Sequence, residues 1–119
     1  MVEPVNLAEK FALIDEYWSP RIAGEINDFH VKLVKLKGEF VWHHHEQEDE
    51  LFLVVRGTLC IQLRDRDLWL REGEFAVIPR GVEHRPVASE EVHVLLLEPD
   101  TTVNTGNVQN ERTRPAQWI

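Results

Sequence analysis

An all-β barrel or sandwich is the fold this chain predicts, on three observations. Short apolar runs with strand-like alternation recur from about residue 21 to residue 99. Turn-forming residues separate them at short intervals, among them Gly24, Asn27-Asp28, Gly38, Gly57 and Asp65-Arg66-Asp67. The runs do not alternate with helical segments as a βαβ architecture would require. The 119 residues suffice for one compact unit and not for two ordinary ones, so scaffold and site must share one core. The expected organisation is a helical segment at 1–20, a β-barrel at 21–100 and a polar tail at 101–119.

The N-terminal helix is signalled by Asn6 as N-cap with Glu9 three residues on, ahead of Phe11, Leu13 and Ile14. It is expected to run to near Ser19-Pro20 and to pack on the outside of a sheet or on a second subunit. Phe29 to Lys37 reads as a strand carrying Val31, Leu33, Val34 and Leu36. Gly38-Glu39 turns the chain into Phe40-Val41-Trp42-His43, with Val41 and His43 on one face. Leu51 to Arg64 is the longest apolar stretch, and Arg56-Gly57-Thr58 within it reads as the bend of a hairpin. Leu68 to Leu70 and Phe75 to Ile78 are short strands, the second ended by Pro79. Val92 to Leu97 is a last buried strand, and Glu98-Pro99-Asp100 ends the sheet. Composition leaves open whether the tail drapes over the barrel or a partner, or stays disordered; Trp118 favours docking.

The chemistry concentrates in Val41-Trp42-His43-His44-His45-Glu46-Gln47-Glu48-Asp49-Glu50-Leu51-Phe52. On a strand His43 and His45 project together while His44 projects the other way. Glu50 opens the next apolar run and can return a carboxylate to the same point, and His84 is a fourth candidate from far along the chain. Three imidazoles and one carboxylate suit a divalent transition metal (Fe, Mn, Co, Ni, Cu or Zn) and suit Ca or Mg poorly. No catalytic residue is assigned. Glu46, Glu48, Asp49 and Glu83 read as solvated turn residues, with Glu48 and His44 the remaining candidates to assist. Tyr17 and Trp18 are within conceivable reach of a ligand. His93 shares its alternation face with Leu95 and Leu97 and reads as packing, and His30 has no partner pattern.

At these residues the chain resembles the cupins. Their first motif, G-x5-H-x-H-x3-4-E-x6-G, is matched by Gly38, His43, His45, Glu50 and Gly57, with the leading gap one residue short. Their second, G-x5-P-x-G-x2-H-x3-N, is matched by Gly73, Pro79, Gly81 and His84, with Ala88 in place of Asn. The resemblance implies a small double-stranded β-helix, or jelly roll, commonly dimeric. It also implies a metal held by His43, His45, Glu50 and His84. It is similar in particular to short single-domain cupins grouped loosely with mannose-6-phosphate isomerases, for which Arg56, Arg64, Arg80 and Arg85 are the candidate phosphate-binding residues.

Bulk properties narrow the partners. A formal charge of −8 argues against nonspecific nucleic-acid binding, which needs a basic surface. No apolar run approaches membrane-spanning length, and Met1-Val2-Glu3-Pro4 lacks a basic region followed by an apolar one, so a cytoplasmic location is expected. The single Cys60 excludes an intrachain disulfide and fits a reducing compartment. Three readings of function follow. The first is a metal-dependent oxygenase or isomerase acting on a small chelating substrate such as a sugar derivative or diol. The others are a noncatalytic binding or sensor module, and a metal-free structural barrel.

Overall fold

A computed structural model describes residues 2–119. Its first element, α1 (Leu7–Ala12), is capped as expected, the Asn6 side chain accepting from the Glu9 N–H at 3.0 Å. The helix stops at Ala12, well short of Ser19-Pro20. From Tyr17 the chain is committed to the sheet: Tyr17 bridges to Lys35, and the Trp18 N–H donates to the Lys35 carbonyl at 2.9 Å. Trp18 takes a left-handed backbone angle, φ 61°, which turns its indole inward. A longer helix would withdraw that indole from the core. Phe11 and Ile14 instead pack on Leu33, against the outside of the sheet.

The strands are β1 (Arg21–Ile26), β2 (Phe29–Glu39), β3 (Glu50–Arg56), β4 (Leu59–Leu63), β5 (Asp67–Leu70), β6 (Phe75–Ile78), β7 (His84–Pro99) and β8 (Gln117–Trp118). β7 is the axis of the fold. Along one edge it pairs antiparallel with β2 from Phe29↔Pro99 to Glu39↔Val87. On its other edge β4 takes the first half (Cys60↔Val87 to Leu63↔His84) and β3 the second (Leu51↔Leu97 to Val54↔Val94). β5 extends β4 and β6 extends β3, giving the two curved faces of the predicted jelly roll.

The hairpin expected at Arg56-Gly57-Thr58 therefore does not form. β3 and β4 pair with different halves of β7, and Gly57 carries the chain across between them. At that crossing a Cβ on Gly57 would lie 3.0 Å from the Glu91 carbonyl oxygen, and φ is +94°, so both space and backbone angle call for glycine. Residues 40–42 are also not a strand; the extended stretch after Glu39 is held against β7 by the Phe40 N–H donating to the Pro86 carbonyl at 3.0 Å and by the bridge His43↔His84.

The core follows the period of two. On β7, Pro86, Ala88, Val92, Val94, Leu96 and Glu98 alternate inward with half-buried or exposed neighbours, after the inward His84. With Val34, Leu36, Phe52, Val54, Leu59 and Ile61 the apolar members form the barrel interior. Each of the valine, leucine, isoleucine and phenylalanine side chains among them contributes roughly 1.5–3 kcal/mol on burial. The tail is ordered and docked: β8 runs parallel to β1, and the Ile119 N–H donates to the Ile22 carbonyl at 3.0 Å.

Candidate metal centre

Two antiparallel backbone contacts bring the two distant motifs together. The His43 N–H donates to the His84 carbonyl (3.1 Å) and the His84 N–H to the His43 carbonyl (2.9 Å). A third, from the Gly81 N–H to the His45 carbonyl at 2.7 Å, ties the loop before β7 to the next histidine. Glu50 begins β3 and pairs with Ile78, so its carboxylate projects from the neighbouring sheet edge. The result places all four expected residues at one point. His43, His45, Glu50 and His84 are buried, and one ligand atom from each lies within 4.8 Å of the others. Ligands on opposite sides of one transition-metal ion sit about 4.2 Å apart, so the set needs only a slight contraction to share an ion.

The rings are oriented from behind. His43 Nδ1–H donates to the Val41 carbonyl at 2.9 Å, and His84 Nδ1–H to the Val82 carbonyl at 3.0 Å. Each bond selects the tautomer that leaves Nε2 with a free lone pair, the form a metal requires. Burial, and after it the adjacent His84, lowers His43 to about 4, so its imidazole is neutral at ordinary pH. His45 Nε2 and His84 Nε2 approach Glu50 Oε1 at 3.3 and 3.5 Å. All three of these atoms are buried without a hydrogen-bond partner. Unpartnered buried polar atoms are costly, and several converging on one point are what a cation would satisfy. The cluster is thus compatible with a metal site.

Two residues of the site escaped the sequence reading. Glu98 is buried beside Glu50, and Lys32 is buried against Glu98, with Nζ 2.9 Å from Oε1. Burial alone would raise Glu50, but the Glu98 carboxyl and the nearby His45 and His84 rings hold it well below the ordinary range. Burial and the Glu50 charge push Glu98 up, against the opposing pull of Lys32. Two carboxyls this close ionise together only at great cost, which drives the pair in opposite directions, Glu50 down and Glu98 up. Alternation was the available signal: Lys32 is in phase with Val34 and Leu36, and Glu98 with Val94 and Leu96.

Beside the cluster a narrow cavity of about 420 Å³, counted out to its open mouth, is walled by Trp18, Phe40, Phe52 and Leu96, with His43, Glu50, Glu98 and Asn104 as its polar members. Trp18 and Phe40 stack at 4.7 Å between centroids. Trp18 reaches the cavity; Tyr17 instead donates outward to Glu91 at 2.7 Å. His44 is outside the cluster, His93 stacks on Phe11 at 4.5 Å as a packing residue, and Glu48 accepts from Thr101 on the surface. The arginines proposed for phosphate are engaged elsewhere. Arg64 contacts Glu83, Arg80 contacts Asp49 and Arg85 contacts Glu39, while Arg56 lines a groove beside α1.

Comparison with known proteins agrees with this fold. The Cupin domain family model matches residues 30–98. A cupin-2 domain protein from Shewanella frigidimarina superposes with TM-score 0.79 at 50% identity, covering 80% of this chain and 93% of that one. A Neisseria meningitidis protein superposes with TM-score 0.75 at 37% identity, covering 82% of this chain and 99% of that one. In sequence, Bacillus subtilis YdbB is 42% identical over 51% of this chain and 55% of its own length. The 3-hydroxyanthranilate 3,4-dioxygenase of Lodderomyces elongisporus is 32% identical over 60% of this chain and 43% of its own length. The chain thus spans about half the length of these relatives. With more than half of its residues inside the family model and the fold shared across these structures, the chain belongs to the cupin family.

Proposed function

We propose that His43, His45, Glu50 and His84 hold one divalent transition-metal ion, and that the protein is a metal-dependent enzyme of the oxygenase type acting on a small, flat, largely apolar chelating molecule. The observation that carries this reading is the convergence of buried, unpartnered imidazole and carboxylate atoms on one edge of an aromatic-walled cavity. When bound, such an ion supplies open coordination positions and Lewis acidity and, if it is iron, redox chemistry with dioxygen. The chain's own residues do the rest. Trp18, Phe40 and Phe52 exclude water and favour a planar ring, and burial with the Glu50 charge pushes the neighbouring Glu98 carboxyl up.

An isomerase acting on a phosphosugar is less well supported, because Arg56, Arg64, Arg80 and Arg85 do not line the cavity and the nearby Lys32 is committed to Glu98. The relatives that are 3-hydroxyanthranilate 3,4-dioxygenases lean the same way, since their name specifies an aromatic substrate. The second reading is a noncatalytic binding or sensor module, in which the same aromatic-walled cavity takes its ligand without turnover. A metal-free structural barrel is the third.

The test begins with metal content by mass spectrometry, comparing the wild type with a His43→Ala, His45→Ala double variant. Near-stoichiometric metal is expected in the first and its loss in the second; equal trace metal in both would refute the centre. Fe(II), Mn, Ni and Zn forms are then offered catechols, ortho-aminophenols, thiols and phosphosugars under air and under nitrogen. Oxygen uptake by the Fe(II) form alone supports the oxygenase. A ligand-induced rise in melting temperature without turnover supports the binding module.

We also propose a cytoplasmic homodimer. Among the described residues no helix is long and apolar enough to cross a membrane. Phe75 and Val77 are exposed on β6, next to the half-buried Leu51 and Leu53 of β3, an apolar strip suited to a second copy.

A further inference from the structure

The family model ends at residue 98, and the segment that follows lies directly on the stretch that carries two of the four clustered side chains. Asn107 brackets His44. Its side-chain Oδ1 accepts from the His44 N–H at 2.8 Å, and its own N–H donates to the His44 carbonyl at 3.0 Å. Gly106, with φ +56°, approaches so closely that a Cβ there would overlap the His44 carbonyl oxygen and lie 3.0 Å from His43 Cδ2. The segment is itself braced. Thr105 is fully buried, with its hydroxyl 2.7 Å from that of Thr113, and the Asn104 side chain donates to the Arg112 carbonyl at 2.8 Å and accepts from the Arg114 N–H at 3.0 Å. A rigid body of hydrogen bonds thus grips the one residue that separates His43 from His45.

We propose that Asn107, seated by Gly106, is a positioning residue for the metal centre: by holding both peptide groups of His44 it sets the relative aim of the His43 and His45 imidazoles. This rests on the reading of His43, His45, Glu50 and His84 as metal ligands. The argument is geometric. His44 points away from the cluster, so its backbone is the only part of it that bears on the site, and both its polar groups are taken by Asn107. Loss of the side chain removes one exposed hydrogen bond, a small effect on the fold. Loss of an outer support of a ligand pair typically weakens metal binding 10–100-fold.

The experiment measures Zn(II) affinity by competition with a chromophoric chelator, the visible spectrum of the Co(II) form, and the melting temperature of the metal-free protein. It compares wild type with Asn107→Ala, Asn107→Asp, Gly106→Ala and Thr101→Ala. About tenfold or more weaker Zn(II) binding and a shifted Co(II) spectrum are expected for Asn107→Ala. Gly106→Ala pushes the segment off His44 by overlap and is expected to lose at least as much. Asn107→Asp keeps the accepting oxygen and is expected to recover most of the affinity. Thr101→Ala, which breaks only the surface contact with Glu48, is expected to bind as wild type. Melting temperatures of the metal-free Asn107 variants are expected to stay near wild type. Wild-type affinity and an unchanged spectrum in both Asn107→Ala and Gly106→Ala overturn the proposal, as does an equal loss in Thr101→Ala. A wild-type protein that takes up no Zn(II) or Co(II) would instead refute the metal centre.

Discussion

Lys32 and Glu98 sit where an apolar barrel ordinarily has leucine or valine, both almost fully buried. Stranding one member of such a contact costs about 3–5 kcal/mol, because a charge is left buried without its partner, whereas replacing both by apolar groups is often nearly neutral. Glu98→Leu is therefore expected to destabilise the protein by about 3 kcal/mol, and Lys32→Met with Glu98→Leu to recover most of that loss. Urea unfolding measures both, and additive losses in the double variant would contradict the coupling. His43 makes a prediction about pH. Its folded value is about 4 against 6.5 ordinarily, so between these values the unfolded chain binds more protons than the metal-free folded protein. Stability is expected to be fully present above pH 6.5 and to fall as the pH drops toward 4, by up to about 3 kcal/mol from this residue. Urea unfolding of chelator-treated protein across that window checks it, and His43→Gln is expected to flatten the slope.

Among the elements, α1 is short and owes its place to packing rather than to helical propensity, since six residues alone are far below the length at which a helix holds in water. Phe11, 2% exposed and stacked on His93, is its anchor, while Leu13 is 65% exposed. Phe11→Ala is expected to cost about 3–4 kcal/mol, and Leu13→Ala under about 0.5 kcal/mol. Thermal unfolding separates the two, and equal effects would show that the helix does not dock through Phe11. This element also shows how far sequence reasoning reaches. The Asn6 cap is a local hydrogen bond and was legible. The helix end was not, because what stops it is the Trp18 backbone finding Lys35 on another strand. The misread hairpin at Gly57 has the same origin: two apolar runs joined by a glycine look alike whether they pair with each other or with two halves of β7.

For the whole molecule, the apolar strip of Phe75 and Val77 gives the proposed dimer a direct test. Phe75→Glu with Val77→Glu is expected to convert a dimer to a monomer by light scattering after gel filtration, with the β-sheet circular dichroism unchanged. A wild-type monomer would remove the dimer, and a double variant still dimeric would move the interface elsewhere. What the sequence alone determined about this protein is whatever spacing encodes. The period of two marks the inward faces, and the two motifs name the four clustered side chains, because those features are carried by neighbours along the chain. Only the tertiary structure decided that His43 and His84 pair backbone to backbone, that Glu98 and Lys32 enter the site, and that the polar tail is a brace over His44. Each of these is a contact between residues far apart in the chain: alternation marks Lys32 and Glu98 as inward-facing, but which distant groups they and the tail meet leaves no periodic mark in the sequence.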